Sequence, residues 1–371
     1  MEQLNNLNHE HYMRQALQLA SAAKGQTRTN PCVGCVIVKD NQILGLGSHL
    51  KQGHHHAEIH ALHMAGEEAE GSTVYVTLEP CSHYGKTPPC AKALIDAKVR
   101  KVIVACEDPN PQVAGSGVSL LQEHGIEVKV GLLKQEAQRL NEVFFTYITK
   151  RRPFVTLKTA STLDGKIASA DGDSKWITNK ASREFVHTLR HQHQGIMVGV
   201  NTLLQDDPQL TTRLEDTGKH PVRIIIDSTL RTPLHAKVVT DKLAPTWIVT
   251  SEMSSKEKAE QLEQAGIRIF YSGSRSRVDL PEAMKQLAEA GISSILLEGG
   301  GKLNGAMLES SLIDKMILFY APKIIGGIDA PSNFNFDGFS HMQDALQLDE
   351  LQIERFGDDV CFIGYPNYKE E

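Results

Sequence analysis

The sequence lacks any long apolar run. No stretch of its 371 residues approaches the length of about 18 consecutive apolar residues that a membrane-spanning helix requires. Residues 1–25 also lack the basic start and the apolar core of a secretory signal. We therefore expect a cytoplasmic protein that has no contact with a membrane.

Cysteine and positive charge are also scarce. The six cysteines do not suggest a disulfide framework, and in the cytoplasm such residues serve as metal ligands or as small buried side chains. The formal net charge of −6 offers no excess of Lys and Arg to bind a nucleic-acid backbone. We expect a small-molecule substrate and no nucleic-acid partner.

The length and the order of the patterns indicate two α/β domains. A chain of 371 residues with 40% hydrophobic residues is long enough for two separate cores. Strand and helix patterns alternate as far as Tyr147, and the basic stretch "ITKRRPF" then leads into a new strand. We place the boundary between residues 147 and 148. No repeat links the two halves, so they are expected to be different domains.

Several elements are predicted from their patterns. An amphipathic helix is expected from Glu10 to Lys24, and "VGCVIVKDNQILGLGSH" predicts a hairpin that turns at Asp40 and Asn41. The second half contains strand patterns at "VTLKTAS", "GIMVGV", "VRIIIDS", "PTWIVTS", "IRIFYS", "SSILLEG" and "KMILFYAPK".

The strongest motif combines "HAE" at residues 56–58 with two later cysteines. His56, Cys81 and Cys90 would give a catalytic zinc ion three protein ligands and leave a fourth position for water. Glu58 would take a proton from that water and deliver it to a leaving amine. This order of residues is typical of the zinc deaminases that act on bases and nucleosides.

A second cysteine pair, in "PCVGC", has the wrong order for this chemistry. Cys32 and Cys35 precede the "HAE" motif, whereas the deaminase cysteines follow it. We expect a strand-entry loop and a buried thiol at these positions. Cys90 lies instead at a predicted helix N-terminus, where the helix dipole favours a thiolate.

A glycine-rich turn in the second half has two interpretations. The segment "SSILLEGGGKLNGAMLESSL" predicts a strand, three glycines and a helix, whose N-terminal N–H groups would hold a pyrophosphate. The spacing of the Rossmann motif is absent. A simple tight turn explains the same residues equally well.

These motifs together resemble the bifunctional deaminase-reductases of riboflavin biosynthesis. The resemblance covers nearly the whole chain, and its separate motifs in the two halves are "NPCVGCVIV", "HHAEIHAL", "YVTLEPCSHYGKTPPC", "EDPNPQVAGSG", "LKTASTLDGKIA", "SKWIT", "DDPQLTTR", "RIIIDS" and "LLEGGGKLNGAML". The long spacing in "CSHYGKTPPC" distinguishes this family from the tRNA and cytidine deaminases.

The resemblance implies a fold and a reaction for each half. Residues 1–147 would form a cytidine-deaminase-like three-layer domain that uses Zn²⁺, and residues 148–371 a dihydrofolate-reductase-like domain that uses NADPH. The first would deaminate 2,5-diamino-6-ribosylamino-4(3H)-pyrimidinone 5′-phosphate, and the second would reduce the ribosyl group to a ribityl chain. We also expect a homo-oligomer, either a dimer or a tetramer.

The resemblance also implies site residues. His56, Cys81 and Cys90 would be zinc ligands, and Glu58 the catalytic proton shuttle. The deaminase substrate would contact Asn30, His83, Lys86 and Asn110. The cofactor would contact Ala160, Trp176, Thr202, Asp206, Ser228, Gly300, Gly301, Lys302, Leu303, Asn304, Gly305 and Ala306. The reductase substrate would contact Ser174, Arg190, Leu210, Arg213 and Glu298.

Two other functions share the zinc motif. A nucleic-acid base deaminase with an accessory dinucleotide-binding domain would need a basic face, which the net charge does not supply. A scaffold that only stores zinc would have no use for Glu58 as a proton shuttle.

Overall fold

The computed structural model contains two compact units, unit 1 (Met1–Arg151) and unit 2 (Arg152–Glu371). The predicted boundary between residues 147 and 148 lies inside a helix, Glu142–Lys150. That helix ends where Arg151 adopts a left-handed φ of 51°. The structure describes residues 2–83, 88–110, 113–215, 218–274 and 276–368, with side chains from residue 8 onward.

Unit 1 is a mixed sheet with helices. Within its described residues the strand order is β2-β1-β3-β4-β5; β1 pairs antiparallel with β2 and β3, and β3, β4 and β5 are parallel. The strands are β1 (Gly34–Lys39), β2 (Gln42–Ser48), β3 (Thr73–Val76), β4 (Lys101–Val104) and β5 (Glu127–Val130). The helices are α1 (Glu2–Ser21), α2 (Ala57–Ala65), α3 (Cys90–Asp96), α4 (Ser116–Glu123), α5 (Lys134–Leu140) and α6 (Glu142–Lys150), with a short 3-10 helix (Gly66–Ala69) after α2.

The start of unit 1 confirms one prediction and corrects another. The β1–β2 hairpin turns at Asp40 and Asn41, whose φ values of 52° and 61° suit the tight turn that the twist of paired strands favours. Helix α1 begins at Glu2 rather than Glu10 and ends at Ser21 rather than Lys24. The preceding residues contain no Gly or Pro that would stop the helix.

Unit 2 is a larger, mostly parallel sheet. In the part of it that the structure describes, the strand order is β10-β9-β8-β7-β11-β6-β12-β14-β13, with β14 antiparallel to both neighbours. The strands are β6 (Phe154–Thr162), β7 (Gly195–Gly199), β8 (Val222–Ile226), β9 (Thr246–Thr250), β10 (Arg268–Tyr271), β11 (Ser294–Leu297), β12 (Lys315–Ala321), β13 (Gln347–Phe356) and β14 (Asp359–Asn367). The helices are α7 (Lys180–Gln192), α8 (Val200–Asp206), α9 (Lys237–Thr240), α10 (Lys256–Gln264), α11 (Leu280–Glu289) and α12 (Gly301–Glu309), with a 3-10 helix (Met342–Asp344) before β13.

The central strands of unit 2 position several of its predicted functional residues. Strand β11 is buried along its whole length, because its neighbours β6 and β7 cover both edges and helices cover both faces. Ligands of such parallel sheets bind beyond the carboxyl ends of the strands. Glu298 directly follows β11, and Gly300 precedes α12. None of the described helices is both long and apolar enough to cross a membrane.

Candidate active sites

Unit 1 contains a cavity of about 310 Å³ whose lining combines apolar residues with several polar and titratable side chains. The residues that matter most for its chemistry are Asn30, His49, His56, Glu58, Cys81 and Asp108. His83 also lines it. The cavity therefore joins predicted zinc ligands to predicted substrate residues.

His56, Cys81 and Cys90 meet at the ends of short elements. His56 is the extended residue before α2, and Cys90 is the first residue of α3. The Nδ1 atom of His56 lies 3.6 Å from Sγ of Cys81 and 3.3 Å from Sγ of Cys90. The three potential ligand atoms lie within 4.8 Å of one another. One imidazole and two thiols at this spacing fit a zinc ion.

Hydrogen bonds at the cluster favour a thiolate at Cys81. The thiol of Cys90 lowers the pKa of Cys81, and the backbone N–H of Cys90 donates to Cys81 Sγ at 3.3 Å. The hydrogen bond between Cys81 and His56 raises the pKa of His56. A metal ligand must be deprotonated, so these contacts prepare Cys81 for an ion. The hydrogen bond with Cys81 and burial raise the pKa of Cys90, contrary to the expectation that its helix N-terminus favours a thiolate, so an ion would have to displace protons from His56 and Cys90.

Glu58 lies in the first turn of α2, with only 3% of its surface exposed. Burial raises its pKa to about 7, and the nearby Cys81 thiolate adds to the effect. Its Oε2 atom has no hydrogen-bond partner among the described residues. The carboxyl group can therefore both accept and donate a proton near neutral pH.

The other two early cysteines are buried, as the sequence predicts. Cys35 is fully buried in β1, and Cys32 donates its backbone N–H to Asn141 Oδ1 at 2.7 Å. Burial raises the pKa of both thiols. Within the described ranges, the group of His56, Cys81 and Cys90 is the one with metal-ligand spacing.

The predicted substrate residues of unit 1 lie on several loops. The amide of Asn30 lies 3.2 Å from Nε2 of His49, a buried residue that the sequence interpretation overlooked. Asn110 donates its backbone N–H to Asp108 Oδ1 at 2.8 Å, and Asp108 lines the cavity. Lys86 lies outside the described residues.

In unit 2, Arg190 and Glu298 form a bidentate ion pair. The Nε and Nη2 atoms of Arg190 lie 2.7 and 2.9 Å from the two carboxylate oxygens of Glu298. Lys158, which the sequence interpretation missed, lies 3.8 Å from Glu298 Oε2. Burial raises the pKa of Glu298, but the positive charges of Arg190 and Lys158 lower it by more. The pKa of Glu298 is therefore about 2.

Further positive charge surrounds this pair. Arg190 donates to the carbonyl of Thr211, and the exposed Arg213 donates to the hydroxyl of the same residue at 3.4 Å. Burial, Arg190 and Arg213 lower the pKa of His187 to about 4. Arg190, Arg213 and Lys158 thus lie near one carboxylate, which suits an anionic ligand. The other predicted substrate residues, Ser174 and Leu210, lie before α7 and after α8.

The glycine-rich turn provides space for a cofactor at one position. A Cβ atom placed on Gly300 would meet only Thr202 Oγ1, at 3.6 Å, whereas one on Gly301 or Gly305 would lie 2.5 or 2.6 Å from a carbonyl of segment 332–335. Close packing therefore explains Gly301 and Gly305. Open space and the free N–H groups at the start of α12 fit a phosphate at Gly300.

The remaining predicted cofactor residues occupy varied positions. Ala160 lies in β6, Asp206 ends α8, and Ser228 follows β8. Trp176 is 64% exposed, and Arg183 lies 4.7 Å from the centre of its ring. Within the run 300–306, Asn304 is buried, and its side-chain amide donates to the carbonyl of Asn333 at 2.9 Å. This hydrogen bond ties helix α12 to the segment that contains Asn333. Lys302, Leu303 and Ala306 lie in α12.

Comparisons with known proteins define the class of each unit. Residues 7–106 match the family model of the cytidine and deoxycytidylate deaminase zinc-binding region, and residues 153–362 match that of the RibD C-terminal domain. The fold and the sites thus define a zinc deaminase joined to a reductase. This confirms the predicted fold class.

Similarity over the whole chain defines the family. The chain is 46% identical to riboflavin biosynthesis protein RibD of Bacillus amyloliquefaciens, over 96% of each chain. A solved structure of Acinetobacter baumannii RibD matches with a TM-score of 0.87 and 38% identity, covering 98% of this chain and 100% of the other. A Thermotoga maritima structure, described as a diaminohydroxyphosphoribosylaminopyrimidine deaminase/5-amino-6-(5-phosphoribosylamino)uracil reductase, matches with a TM-score of 0.84 and 36% identity over the same shares.

The chain belongs to the RibD family of riboflavin biosynthesis proteins. It is a bifunctional enzyme with a zinc-dependent deaminase and an NADPH-dependent reductase. The predicted activity and cofactors are thereby confirmed, and the nucleic-acid deaminase interpretation is not needed.

Proposed function

We propose that His56, Cys81 and Cys90 hold the zinc ion of the deaminase. The observation that carries this assignment is the meeting of their three ligand atoms beside a buried acid in the wall of a cavity. A zinc ion with three protein ligands supplies Lewis acidity that activates a water molecule. Glu58, with a pKa of about 7 and an unpartnered Oε2, would take the proton and return it to the leaving amine.

The proposed deaminase substrate is 2,5-diamino-6-ribosylamino-4(3H)-pyrimidinone 5′-phosphate. The name of the similar Thermotoga maritima protein supports this choice. The cavity of about 310 Å³ falls in the size range of small-molecule sites. Asn30 would contact the pyrimidine edge, while His83, Lys86 and Asn110 would line the ribose and phosphate side.

The proposed second reaction reduces the ribosyl group of the deaminated product to a ribityl chain. Arg213 is the better phosphate ligand of the two arginines, because both nitrogens on one side of Arg190 already bind Glu298. The nicotinamide cofactor would place a phosphate at Gly300 and Thr202, where the structure leaves space. The other proposed contacts to the cofactor and the substrate are those named from the family resemblance.

We assign the deaminase to unit 1 and the reductase to unit 2, which moves the boundary from residue 147 to Arg151.

Edge strand β13 exposes Leu351 and Ile353, which supports pairing with a second copy in a homo-oligomer. All six cysteines are free, which suits the reducing cytoplasm.

Metal analysis of cysteine variants tests the zinc assignment. Cys81→Ser and Cys90→Ser should lose zinc and ammonia release, because each removes one of three ligands. Cys32→Ala is the matched control and should retain both. Each purified full-length protein is assayed for bound zinc by elemental analysis and for ammonia released from the pyrimidine substrate. Stoichiometric zinc in Cys81→Ser would overturn the assignment.

A further inference from the structure

The carboxylate of Glu79 is buried and fully used by backbone donors. Only 4% of the residue is exposed. Its Oε2 atom accepts the N–H groups of Asp108 at 3.2 Å and Gly115 at 3.0 Å. Its Oε1 atom accepts those of Gly117 at 2.8 Å and Val118 at 3.1 Å. Four charge-assisted hydrogen bonds thus converge on one side chain.

These bonds cap helix α4 from a distant part of the chain. The residue before α4 is Gly115, with a φ of 76° and no side chain to cap the first N–H groups. Such groups need an acceptor, and a negative charge at a helix N-terminus is favourable. Glu79 supplies both from the segment that leads to Cys81.

Close packing fixes α4 against the chain on either side of Cys81. A Cβ atom on Gly117 would lie 1.9 Å from the carbonyl oxygen of Pro80, so the helix start contacts that carbonyl directly. The hydroxyls of Ser82 and Ser116 lie 2.7 Å apart. The position of α4 is therefore linked to that of Cys81.

The same carboxylate closes the turn around Asn110. Its Oε2 atom accepts the N–H groups of Asp108, which precedes Asn110, and of Gly115, which follows it. Asn110 is also held within the turn, because its carbonyl accepts the N–H groups of Val113 at 2.8 Å and Ala114 at 2.9 Å. Glu79 therefore determines where this turn lies relative to the cavity that Asp108 lines.

We propose that Glu79 is a positioning residue of the deaminase, which holds the turn of Asp108 and Asn110 at a fixed distance from Cys81. Glu79 lines the cavity, but both oxygens of its carboxylate are occupied by backbone N–H donors, so its role is to set substrate-binding groups relative to the metal ligands. This inference rests on the proposed roles of Cys81 in zinc binding and Asn110 in substrate binding.

Glu79→Gln tests the proposal in the zinc-loaded, full-length enzyme. In Glu79→Gln the side-chain NH₂ group would replace one of the two oxygens and face two backbone N–H groups, which cannot accept a hydrogen bond from it. The turn should therefore move, while every proposed zinc ligand is retained. We expect stoichiometric zinc, a KM for the pyrimidine substrate raised about 10-fold, a smaller change in kcat and faster hydrogen exchange in residues 113–118. Reduction of the deaminated compound should be unchanged. Glu123→Gln, exposed at the other end of α4, is the matched control and should behave like the wild type.

A second variant and a double mutant separate positioning from general stability. Glu79→Asp keeps the charge with a shorter side chain and should give a KM between those of the wild type and Glu79→Gln. If Glu79 acts through Asn110, Glu79→Gln should raise KM less than about 2-fold in an Asn110→Ala background.

Three results would overturn the inference: wild-type KM in both Glu79 variants, loss of zinc in parallel with activity, or a full 10-fold effect that persists beside Asn110→Ala. A failed zinc assignment would instead appear in Cys81→Ser, independently of any Glu79 variant.

Discussion

The two active sites use the same residue type in opposite electrostatic settings. Glu58 is buried without a cationic partner strong enough to ionise it, and its pKa rises to about 7. Glu298 is also buried, but Arg190 and Lys158 hold its pKa at about 2. The first carboxyl group is suited to proton transfer, and the second to a permanent charge that orients cations.

The sites also differ in how the chain assembles them. The cluster of His56, Cys81 and Cys90 comes from one stretch of unit 1, with the proposed zinc ligands at the ends of short elements. In unit 2, Arg190 and Glu298 are 108 residues apart, and Lys158 comes from a third element. A local motif therefore defines the proposed zinc site, whereas the proposed reductase site brings together a helix and two strands that are distant in the sequence.

The largest expected effect in unit 2 follows from Glu298→Gln. Removal of this charge leaves Arg190 and Lys158 buried without their partner, which should destabilise the protein by about 3 kcal/mol and abolish most reductase activity. Deamination should continue. Thermal unfolding and the two separate activity assays check this. Glu282→Gln, at an exposed ion pair with Lys285, is the control and should shift stability by less than about 1 kcal/mol. Equal stability of the two variants would contradict the account.

The pH dependence of stability sharpens the same comparison. The pKa of Glu298 is lower in the folded protein, at about 2, than its ordinary value of 4.5. Its stabilising contribution is therefore complete above pH 4.5 and is lost as the pH falls toward 2, by about 3 kcal/mol. In Glu298→Gln this part of the acid dependence should disappear. Parallel stability curves for wild type and variant between these pH values would show that Glu298 is not ionised by its neighbours.

A smaller effect is expected from Arg213→Ala. Loss of charge-assisted hydrogen bonds to a phosphate should weaken binding of the reductase substrate by about 2 kcal/mol, or about 30-fold. Stability should change little, because the side chain is exposed. Binding is measured with the deaminated compound, and Arg231→Ala, whose guanidinium binds Asn201, serves as the control. Unchanged affinity in Arg213→Ala would mean that another group binds the phosphate.

Local patterns predicted much of this structure. The β1–β2 hairpin follows from its turn residues, and the zinc cluster follows from the order of His56, Cys81 and Cys90. Strands β13 and β14 were not predicted. Strand β13 is an exposed edge strand with a largely polar sequence and no alternation toward a core, whereas β14 carries a partly buried apolar run that the sequence interpretation missed.

Contacts between distant segments account for what the sequence did not reveal. Glu79 looks like an ordinary polar residue before a proline until the fold brings the start of α4 to it. The carbonyls of segment 332–335 leave no room for a Cβ atom on Gly301 or Gly305, which the sequence pattern did not reveal. In each case the contacting residues lie far away in the sequence, so a local pattern does not reveal them.

The central claim is that each unit carries a complete set of catalytic groups, and Glu58→Gln tests it most directly. The proposed zinc ligands are untouched, so zinc should remain, while ammonia release should fall by about 10²- to 10⁴-fold because an amide cannot accept the proton. The same purified protein, given the already deaminated compound, should oxidise NADPH at close to the normal rate. Near-normal ammonia release, or loss of both activities in folded, zinc-loaded Glu58→Gln, would contradict this account.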